Sequence, residues 1–487
     1  MIYPSKEEFL KLSKKGNLIP VYKEIIADTE TPVSAYKKIE SKNAFLLESV
    51  EGGEKLARYS FLGSDPIFII KSKGDRIEVI EGKKKRAIKG DPFDALKDIM
   101  SRYKLVEVKE LPRFHGGLVG YFGYDMIRFI EDIPDKNPDE INKPDMQFML
   151  ADVVLAFDHI KQKIIIIANT HVKDDPKAAY KKAVAKLNEV AKKLKKPLGK
   201  KDMELEAPRT KKTCKFKTNL SRAKFSKMVE RAKGYIRSGD IIQVVLSQRL
   251  SAKAPKDTFR VYRMLRSINP SPYMFYLKFD DLKLIGSSPE IMVRMEKGAA
   301  TVRPIAGTRP RGENAEEDNR LEKQLLADAK EKAEHIMLVD LGRNDLGRVC
   351  EFGSVKVNEL MAIERYSHVM HIVSDVSGKI RKGFGSIDLI RACFPAGTVT
   401  GAPKVRAMEI IDELENIRRG PYAGAVGYFC FSGDLDTCIT IRTIIADSKK
   451  FYVQAGAGIV ADSVPEREYE ETLNKAKALL RAIEMAL

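Results

Sequence analysis

Apolar and polar residues alternate over short runs through the first 175 residues of the chain. The runs AFLLES, RYSFLG, PIFIIKSKG, RIEVIEG, GGLVGYFGYD and KIIIIANT predict β-strands joined by turns. A lysine-rich segment at 176–196 follows and is predicted to be helical. The polar, proline-containing segment KKPLGKKDMELEAPRTKKT at 195–213 then predicts a linker between two parts of the chain.

Longer helices are predicted in the second half. Apolar residues keep helical spacing through 315–342, and Asn314 and Glu317 before them form a capping-box pattern. A further helix is predicted to open near Pro403 and to stop at the sequence RRGP of 418–421.

The last part of the chain contains three strand-like runs and a final helix. The runs are YAGAVGYFCFS, LDTCITIRTIIAD and KFYVQAGAGIVAD, and Ser463 and Glu466 then form the capping-box pattern of the C-terminal helix. Strands in runs and helices in blocks favour an α+β fold over a doubly wound one. We therefore expect a large antiparallel, β-sandwich-like sheet system flanked by helices.

The length and charge of the chain narrow the classes of protein to which it can belong. A chain of 487 residues suits two domains or one large interleaved one, and we expect an N-terminal domain at 1–205 and a second domain at 216–487. The net charge of +18 is not accompanied by a helix-turn-helix, finger or aromatic-plus-basic signature, so we expect no nucleic-acid partner. No apolar run approaches the roughly 18–20 residues of a membrane span, and the start lacks a secretory signal. We expect a soluble cytoplasmic protein.

Two of the predicted helices each carry a pair of glutamates three residues apart. Glu331 and Glu334 share one face of the 315–342 helix, and Glu468 and Glu471 share one face of the last helix. If the helices approach each other, four carboxylates form an oxygen-rich site that suits a hard cation such as Mg²⁺. The alternative, which the spacing alone favours, is that all four are exposed surface glutamates.

Other residues have chemistry that the pattern alone leaves open. Arg442 is predicted in the middle of a buried strand, where its anionic partner is either a structural carboxylate or a substrate. Gly456 and Gly458 lie in a strand-like run, where glycine permits close approach by a ligand or forms a bulge. His368 and His371 have metal-binding spacing, although such histidines are more often satisfied core residues.

The segment RPIAGTRPRG at 303–312 places three arginines beside two glycines and suggests an anion site. The segment FPAGTVTGAPK at 394–404 offers a second one before a helix. Neither is a Walker A loop or a GxGxxG fingerprint. A phosphate site is therefore disfavoured, and the arginines can equally form structural ion pairs.

Nine segments that carry these residues occur in order along the chain: GSSPE, PIAGTRPRG, AEHIMLVDLGRNDLGRV, YSHVMH, PAGTVTGAPK, GPYAGAVGYF, DTCITIRT, QAGAGIVADS and EREYEETLNKA. Together they closely resemble the chorismate-utilising enzymes. The resemblance covers essentially all of 216–487, and it reaches the N-terminal half through LLES at 46–49 and RYSFLG at 58–63. It implies two interleaved subdomains, of which 216–487 is the chorismate-binding catalytic one.

The resemblance implies a Mg²⁺ cofactor that holds the ring carboxylate of chorismate. Glu334 and Glu471 match the direct metal ligands of the family. Glu331 and Glu468 match carboxylates close behind them, with contact through water.

The resemblance also implies catalytic and substrate-binding roles. Glu290 matches a general acid that protonates the departing 4-hydroxyl, and His371 matches a histidine that assists loss of pyruvate. The other residues that match substrate contacts are Thr398, Tyr422, Arg442, Gly456, Gly458, Ala306, Gly307 and Thr308.

Two positions separate the reactions of the family. Members that add water to chorismate carry a lysine at the position of Gln243, and aminodeoxychorismate synthases commonly carry one at the position of Ala306. This chain has neither amine, so the resemblance implies that external ammonia attacks chorismate and yields anthranilate and pyruvate, at the start of tryptophan biosynthesis. The alternatives are aminodeoxychorismate, or the aminated intermediate 2-amino-2-deoxyisochorismate without loss of pyruvate.

The ammonia implies a partner subunit. A glutamine amidotransferase needs a nucleophilic cysteine with a histidine partner, and none of the five cysteines here lies in a GxCxG-like segment. The resemblance therefore implies a separate amidotransferase subunit and a hetero-oligomer.

Two further segments match the family's tryptophan-binding site. Glu48 and Ser49 belong to LLES, and Pro272, Tyr273 and Met274 belong to NPSPYMFY at 269–276. They would join the N-terminal domain to the catalytic one, so that bound tryptophan could shift the domain arrangement and inhibit the enzyme. The alternative is that Pro-Ser-Pro is only a rigid turn.

Overall fold

The computed structural model describes residues 1–49, 58–108, 110–199, 202, 213–254, 257–366 and 369–487. Most of the predicted linker, and His368, lie outside the described residues. The helices are α1 (Lys6–Leu12), α2 (Pro32–Ile39), α3 (Pro92–Ser101), α4 (Pro176–Leu194), α5 (Arg222–Arg237), α6 (Thr258–Ile268), α7 (Ala315–Ala327), α8 (Ala329–Gly347), α9 (Ser386–Cys393), α10 (Lys404–Leu414) and α11 (Pro465–Ala486).

The strands are short and mostly apolar, as the alternating pattern predicts. In the first half they are β1 (Ile2–Tyr3), β2 (Leu18–Ile26), β3 (Asn43–Glu48), β4 (Tyr59–Ser64), β5 (Ile69–Lys73), β6 (Arg76–Glu81), β7 (Lys84–Lys89), β8 (Gly117–Phe122), β9 (Met146–Ala151), β10 (Val153–Asp158) and β11 (Lys163–His171). In the second half they are β12 (Lys217–Thr218), β13 (Gln243–Lys253), β14 (Tyr273–Phe279), β15 (Leu282–Ser288), β16 (Ile291–Glu296), β17 (Ala299–Val302), β18 (Ile305–Pro310), β19 (Lys356–Arg365), β20 (Val369–Lys379), β21 (Gly401–Ala402), β22 (Ala425–Cys430), β23 (Leu435–Ile439), β24 (Thr443–Ala446) and β25 (Lys450–Ile459).

The strands form two large antiparallel sheets, and each sheet takes strands from both halves of the chain. The first sheet has the order β1-β2-β11-β10-β4-β3-β14-β15-β24-β25-β13-β12, with β21 on β13. The second has the order β18-β20-β17-β16-β23-β22-β8-β9-β5-β6-β7, with β19 on β20. The halves meet where β3 pairs with β14 and where β8 pairs with β22. The predicted α+β architecture with interleaved parts is confirmed; the domain boundary itself stays a prediction.

The two sheets pack face to face around an aromatic core. Phe45 and Phe61 of the first sheet meet Tyr121 and Tyr428 of the second, and the ring of Phe114 stacks on Tyr428 with centroids 4.2 Å apart. Helices α1, α2, α4, α6 and α11 cover the outer face of the first sheet, and α3, α8 and α9 cover that of the second. Among the described residues, no helix is long and apolar enough to cross a membrane.

The predicted 315–342 helix is wrong as a single helix, because the chain breaks at Asp328. Asp328 has φ −68° and ψ 109°, and its side chain accepts hydrogen bonds from the backbone N–H groups of Lys330 and Glu331. It therefore caps a second helix, α8, at a new angle. The cap predicted at Asn314 is confirmed, since its side chain accepts the N–H of Glu317 at 3.0 Å.

Two other predicted boundaries are wrong. The final helix α11 has Val464 at its N-cap, and Ser463 instead accepts the N–H of Val460 at 3.1 Å, which closes a preceding turn. Helix α10 ends at Leu414, before the predicted stop at 418–421. Arg418 and Arg419 therefore lie in the connection after the helix, where Arg419 is buried and Arg418 is partly exposed.

Candidate active site

Glu290 lies in the short connection between β15 and β16, where the chain passes from the first sheet to the second. Its backbone carbonyl accepts the N–H of Ile439 at 3.0 Å, which fixes the connection. Burial raises the pKa of the Glu290 carboxyl from its ordinary 4.5 to about 8, although Thr398 and Lys475 oppose the shift. The carboxyl is therefore protonated at neutral pH and can donate that proton.

Thr398 lies in a single 3-10 turn, Gly397–Val399, just before α10. Its hydroxyl is near enough to Glu290 to oppose the rise in the carboxyl pKa, yet its oxygen is buried without a hydrogen-bond partner at normal geometry. A buried hydroxyl with no partner costs about 1–3 kcal/mol. It is therefore available to contact a bound molecule.

The four predicted carboxylates lie on two helices that face the same space. Burial and the charge of Glu331 raise the pKa of Glu334 on α8, and burial and the charge of Glu471 raise the pKa of Glu468 on α11. Lys475 opposes the pKa rise of both Glu334 and Glu468. The two helices thus present their carboxylates to one lysine.

These carboxylates fit Mg²⁺ by their chemistry. Within the part of the chain that the structure describes, no three His, Cys, Asp or Glu side chains already stand close enough to hold a metal ion. The raised pKa values of Glu334 and Glu468 nevertheless show carboxylates whose negative charge is poorly compensated. Hard oxygen donors with unmet charge are what a divalent cation binds.

Lys475 is a site residue that the sequence analysis missed. Its ammonium lies 2.6 Å from a Glu471 oxygen and donates to the carbonyl of Gly456 at 3.1 Å. Its own carbonyl accepts a hydrogen bond from Arg442 Nη1 at 2.6 Å. Lys475 thus connects the carboxylate helix, the glycine strand and the arginine. Its position one helical turn after Glu471 is the signal that could have identified it.

Arg442 does not lie in the middle of a strand, so that prediction is wrong. It lies between β23 of the second sheet and β24 of the first, in the left-handed conformation with φ 49°. An arginine in this conformation is uncommon and turns its side chain out of the strand direction. Burial lowers the pKa of Arg442, and Tyr422 and Glu471 oppose that change. The guanidinium is therefore half-buried among site residues and has charge available for an anion.

Gly456 and Gly458 lie where the side chains of other residues come too close to leave room for a Cβ atom. On β25 they pair with Ser247 and Val245 of β13. A Cβ on Gly456 would stand 2.8 Å from the hydroxyl oxygen of Tyr422. A Cβ on Gly458 would stand 2.5 Å from Nε2 of Gln243, which donates to Glu334 at 3.1 Å. The glycines thus let two polar side chains reach the site across the strand.

His371 on β20 faces the end of β18. Its Nδ1 lies 2.9 Å from the carbonyl oxygen of Gly307 and 3.1 Å from the hydroxyl of Thr308. Burial lowers the pKa of His371, and the charge of Arg442 lowers it further. A neutral imidazole that donates from Nδ1 to a carbonyl keeps a lone pair on Nε2, so His371 can take up a proton there.

The strand that carries Ala306 is bent beside the carboxylates. Ala306 pairs with Ile372 and Thr308 with His371, so Gly307 forms a bulge with φ 66°. A Cβ on Gly307 would come within 3.1 Å of Glu331 Oε2. Ala306, directly before this glycine, is half-buried and brings no charge to the strand.

The three arginines of RPIAGTRPRG form ion pairs within the protein. Arg303 pairs with Glu364, Arg309 pairs with Asp328 at 2.9 Å and Glu331 at 3.1 Å, and Arg311 pairs with Asp318. Arg311 also donates to the carbonyl of Tyr366 at 2.8 Å. Their charge is thus used by the fold, and the structural alternative to a phosphate site is the correct one.

The five residues predicted for tryptophan line one apolar pocket between the sheets. Glu48, Ser49, Pro272, Tyr273 and Met274 all border it. Strand pairing brings the two segments together, because Met274 is opposite Glu48. The Glu48 carboxylate itself accepts hydrogen bonds from Tyr262 and Arg266 on α6, so it anchors that helix.

A charged group in the same pocket was missed by the sequence analysis. The buried Asp436 of β23 accepts a hydrogen bond from the hydroxyl of Tyr273 at 2.9 Å, and it lies 3.2 Å from Arg294 and 3.4 Å from Arg113. Two arginines around one carboxylate leave a net positive charge, which suits a ligand with a carboxylate and an apolar body.

A sequence profile of the chorismate binding enzyme family matches residues 42–481 of the chain. The chain belongs to this family. Anthranilate synthase component 1 of Acetivibrio thermocellus is 52% identical over 490 residues, which cover 100% of this chain and 99% of that protein. Anthranilate synthase component 1 of Aquifex aeolicus is 50% identical and covers 99% and 98% of the two chains. The crystal structure of anthranilate synthase component I from Streptococcus pneumoniae aligns with a TM-score of 0.78 at 41% identity, covering 94% of this chain and 99% of that one.

Membership in the chorismate binding family confirms the predicted family and the prediction of an enzyme. The predicted α+β fold agrees with the Streptococcus pneumoniae structure. In this chorismate binding enzyme Lys475 interacts with the predicted acid Glu290, with the predicted metal residues Glu334 and Glu468, and through its carbonyl with Arg442. The roles of the individual residues stay predictions.

Proposed function

We propose that the chain is the chorismate-converting subunit of an anthranilate synthase. Chorismate and ammonia would give anthranilate, pyruvate and water. The observation that carries this proposal is the full-length similarity, at 50–52% identity, to two proteins named anthranilate synthase component 1. The chemistry of the site supports it, since Lys475 interacts with Glu290, Glu334, Glu468, Glu471 and Arg442.

The first step is addition of ammonia at C2 of chorismate with departure of the 4-hydroxyl. Glu290 supplies the proton, and the hydroxyl leaves as water. Its pKa of about 8 supports this role, because an ordinary carboxyl is already ionised at neutral pH. Thr398, with its unpaired buried hydroxyl beside Glu290, holds the substrate there.

The second step is loss of pyruvate, which makes the ring aromatic. A proton leaves C2, a double bond forms between C2 and C3, and the bond from C3 to the enolpyruvyl oxygen breaks, so that the enolate departs and becomes pyruvate on gaining a proton. His371 takes the proton on Nε2, for which its neutral imidazole is suited. Arg442, Tyr422 and the backbone at Gly456 and Gly458 grip the enolpyruvyl carboxylate.

The absence of two amines supports ammonia as the nucleophile. Gln243 donates its amide to Glu334 and carries no basic nitrogen that could activate water. Ala306 brings no amine that could attack the ring. An external nitrogen nucleophile is then required, and it needs only to arrive unprotonated.

Glu334 and Glu471 are the residues that would hold Mg²⁺, with Glu331 and Glu468 behind them. Bound Mg²⁺ would supply positive charge for the ring carboxylate of chorismate. Lys475, paired with Glu471, keeps the remaining negative charge of the site from repelling a dianionic substrate.

The ammonia would come from a glutamine amidotransferase subunit in a hetero-oligomer, and tryptophan would inhibit from the second pocket. None of the five cysteines lies in a GxCxG-like segment that would carry a glutaminase nucleophile, which supports a separate glutaminase. Asp436 with its two arginines supports an amino-acid ligand in the pocket. The cytoplasmic location stays a prediction.

The test is a reaction of the purified chain with chorismate, MgCl₂ and ammonium chloride at alkaline pH. We expect fluorescent anthranilate and an equal amount of pyruvate, and no product when EDTA replaces the metal. Glutamine in place of ammonium should give no anthranilate without the partner subunit. Unchanged chorismate under the ammonium condition would refute the proposal, and an aminated product without pyruvate would establish one of the alternative reactions.

A further inference from the structure

Arg419 is buried beneath the active site, with 2% of its surface exposed. Arginine is rarely buried unless its charge is paired and its N–H groups are satisfied. Here Nε and Nη2 donate to the two carboxylate oxygens of Glu415 at 3.0 and 2.6 Å. The remaining donors go to backbone carbonyls, Nη1 to Val399 and Nη2 to Val245, each at 2.7 Å.

These contacts reach three separate parts of the site. Val399 follows Thr398 in the 3-10 turn. Val245 is two residues after Gln243 on β13 and pairs with Gly458. The guanidinium also lies over the ring of Tyr422, 5.6 Å from its centroid.

We propose that Arg419 is a positioning residue that holds the Thr398 turn, the Gln243 strand and the Tyr422 ring in register for chorismate. This inference rests on the proposed function. Arg419 touches no predicted metal ligand, and its charge is already used by Glu415, so it acts only through its neighbours.

An arginine is required because its planar fork donates in three directions at once. A lysine at this position keeps the charge, but its single nitrogen with three N–H groups cannot make the paired bonds to Glu415 and the bonds to both carbonyls at once. Glu415 is itself held in place, since it accepts the backbone N–H and the hydroxyl of Ser247 at 2.8 and 2.7 Å. Ser247 is opposite Gly456, so the pair is tied to the glycine strand as well.

Steady-state kinetics of Arg419→Lys test the proposal, with ammonium as nitrogen donor. We expect the KM for chorismate to rise about tenfold while the KM for ammonium stays unchanged, because Thr398 and Tyr422 are proposed to contact chorismate and none of the three positioned groups is proposed to contact ammonia. Arg58→Lys is the control. Arg58 pairs with the buried carboxylate of Asp158 at 2.9 Å and lies over the ring of Tyr59, and neither partner is a predicted catalytic residue. We expect its KM for chorismate to stay within twofold of the wild-type value.

A second variant covers the case in which Arg419→Lys does not fold. Glu415→Gln keeps Arg419 and its bonds to the two backbone carbonyls but weakens the pairing between residues 415 and 419. It should raise the KM for chorismate about threefold. A general loss of folded protein lowers kcat alone, so a lower kcat with unchanged KM in the folded variants overturns the proposal. An equal rise in Arg58→Lys overturns it too. An inactive wild-type chain would instead refute the proposed function, which keeps the two failures distinct.

Discussion

Ile439 donates its backbone N–H to the carbonyl oxygen of Glu290 at 3.0 Å. A second hydrogen bond of the same length runs from the Ser287 N–H to the carbonyl of Arg442. It joins the end of β15 to the connection between β23 and β24. Strand β23, which ends at Ile439, also borders the apolar pocket through Asp436 and Cys438. One strand therefore connects the pocket to both the predicted acid and the predicted carboxylate-binding arginine.

The first prediction follows from this connection. Ser49→Ala should raise the tryptophan concentration for half-inhibition about tenfold, because Ser49 borders the pocket and is far in sequence from the catalytic groups. Inhibition curves at fixed chorismate measure this, and KM without tryptophan should not change. Ser41→Ala, ahead of β3 and outside the pocket, serves as control. Equal inhibition of wild type and Ser49→Ala would refute this placement of the effector.

The second prediction concerns the carboxylate helices. Glu334→Gln should lower Mg²⁺-dependent turnover by about two orders of magnitude, since a neutral amide is a poor ligand for a hard cation. Burial raises the pKa of Glu334 and so disfavours its charged form in the folded wild type. A neutral glutamine avoids this cost, so the variant should unfold at the same or a slightly higher urea concentration. A magnesium titration of activity, with the exposed Glu316→Gln as control, measures the effect. Full activity in Glu334→Gln would remove the metal assignment.

The third prediction is a pH dependence of stability. The folded-state pKa of Glu290, about 8, exceeds the ordinary 4.5, so the folded protein binds this proton more tightly than the unfolded chain does. The resulting stability is present below pH 4.5 and is lost as the pH rises towards 8. Glu290→Gln stays neutral throughout, so its stability relative to wild type should grow over this range by at most about 5 kcal/mol.

Urea unfolding of wild type and Glu290→Gln at pH 5 and pH 9 provides the measurement. The same variant should lose about 100- to 10,000-fold in kcat, since an amide has no acidic proton to donate. A stability difference that does not depend on pH would mean that the Glu290 carboxyl is ionised in the folded protein.

The fourth prediction concerns the glycine strand. Gly458→Ala should displace the Gln243 amide, because the new Cβ would lie 2.5 Å from its Nε2. We expect a loss of about 1–3 kcal/mol in the free energy of unfolding and a higher Mg²⁺ requirement, since Gln243 orients Glu334. Gly234→Ala in α5 is the control, because a Cβ there meets no atom within 4 Å and should stabilise the helix by about 0.5–1 kcal/mol.

The sequence predicts the α+β architecture well, because segment order and residue type carry it, whereas the roles of the site residues stay predictions. Prediction from the sequence fails where tertiary contacts decide the local structure. The strand-like pattern of apolar residues at 435–447 continues through Arg442, because β23 and β24 are both buried. Only tertiary packing shows that the chain changes from one sheet to the other at this arginine. The break at Asp328 was readable, because Asp328 and Glu331 have the spacing of a capping box.

Lys475 and Arg419 were missed for a different reason. Each acts through distant partners, Lys475 through Gly456 and Arg419 through Val245 and Val399. Sequence spacing can place a side chain on a helix face or in a connection. It cannot show which backbone carbonyls of other segments that side chain will meet.

The interleaving of the sheets has a consequence for synthesis of the chain. Strands β24 and β25 fill the place between β15 and β13, and β22 and β23 fill the place between β8 and β16. A ribosome must therefore release residue 439 before the second sheet can be completed and residue 459 before the first can be, and the nascent chain carries open strand edges until then. Contacts between such distant segments slow folding and expose edges to other chains. The first 400 residues should bind chaperones during translation, and expression of either half alone should give aggregates.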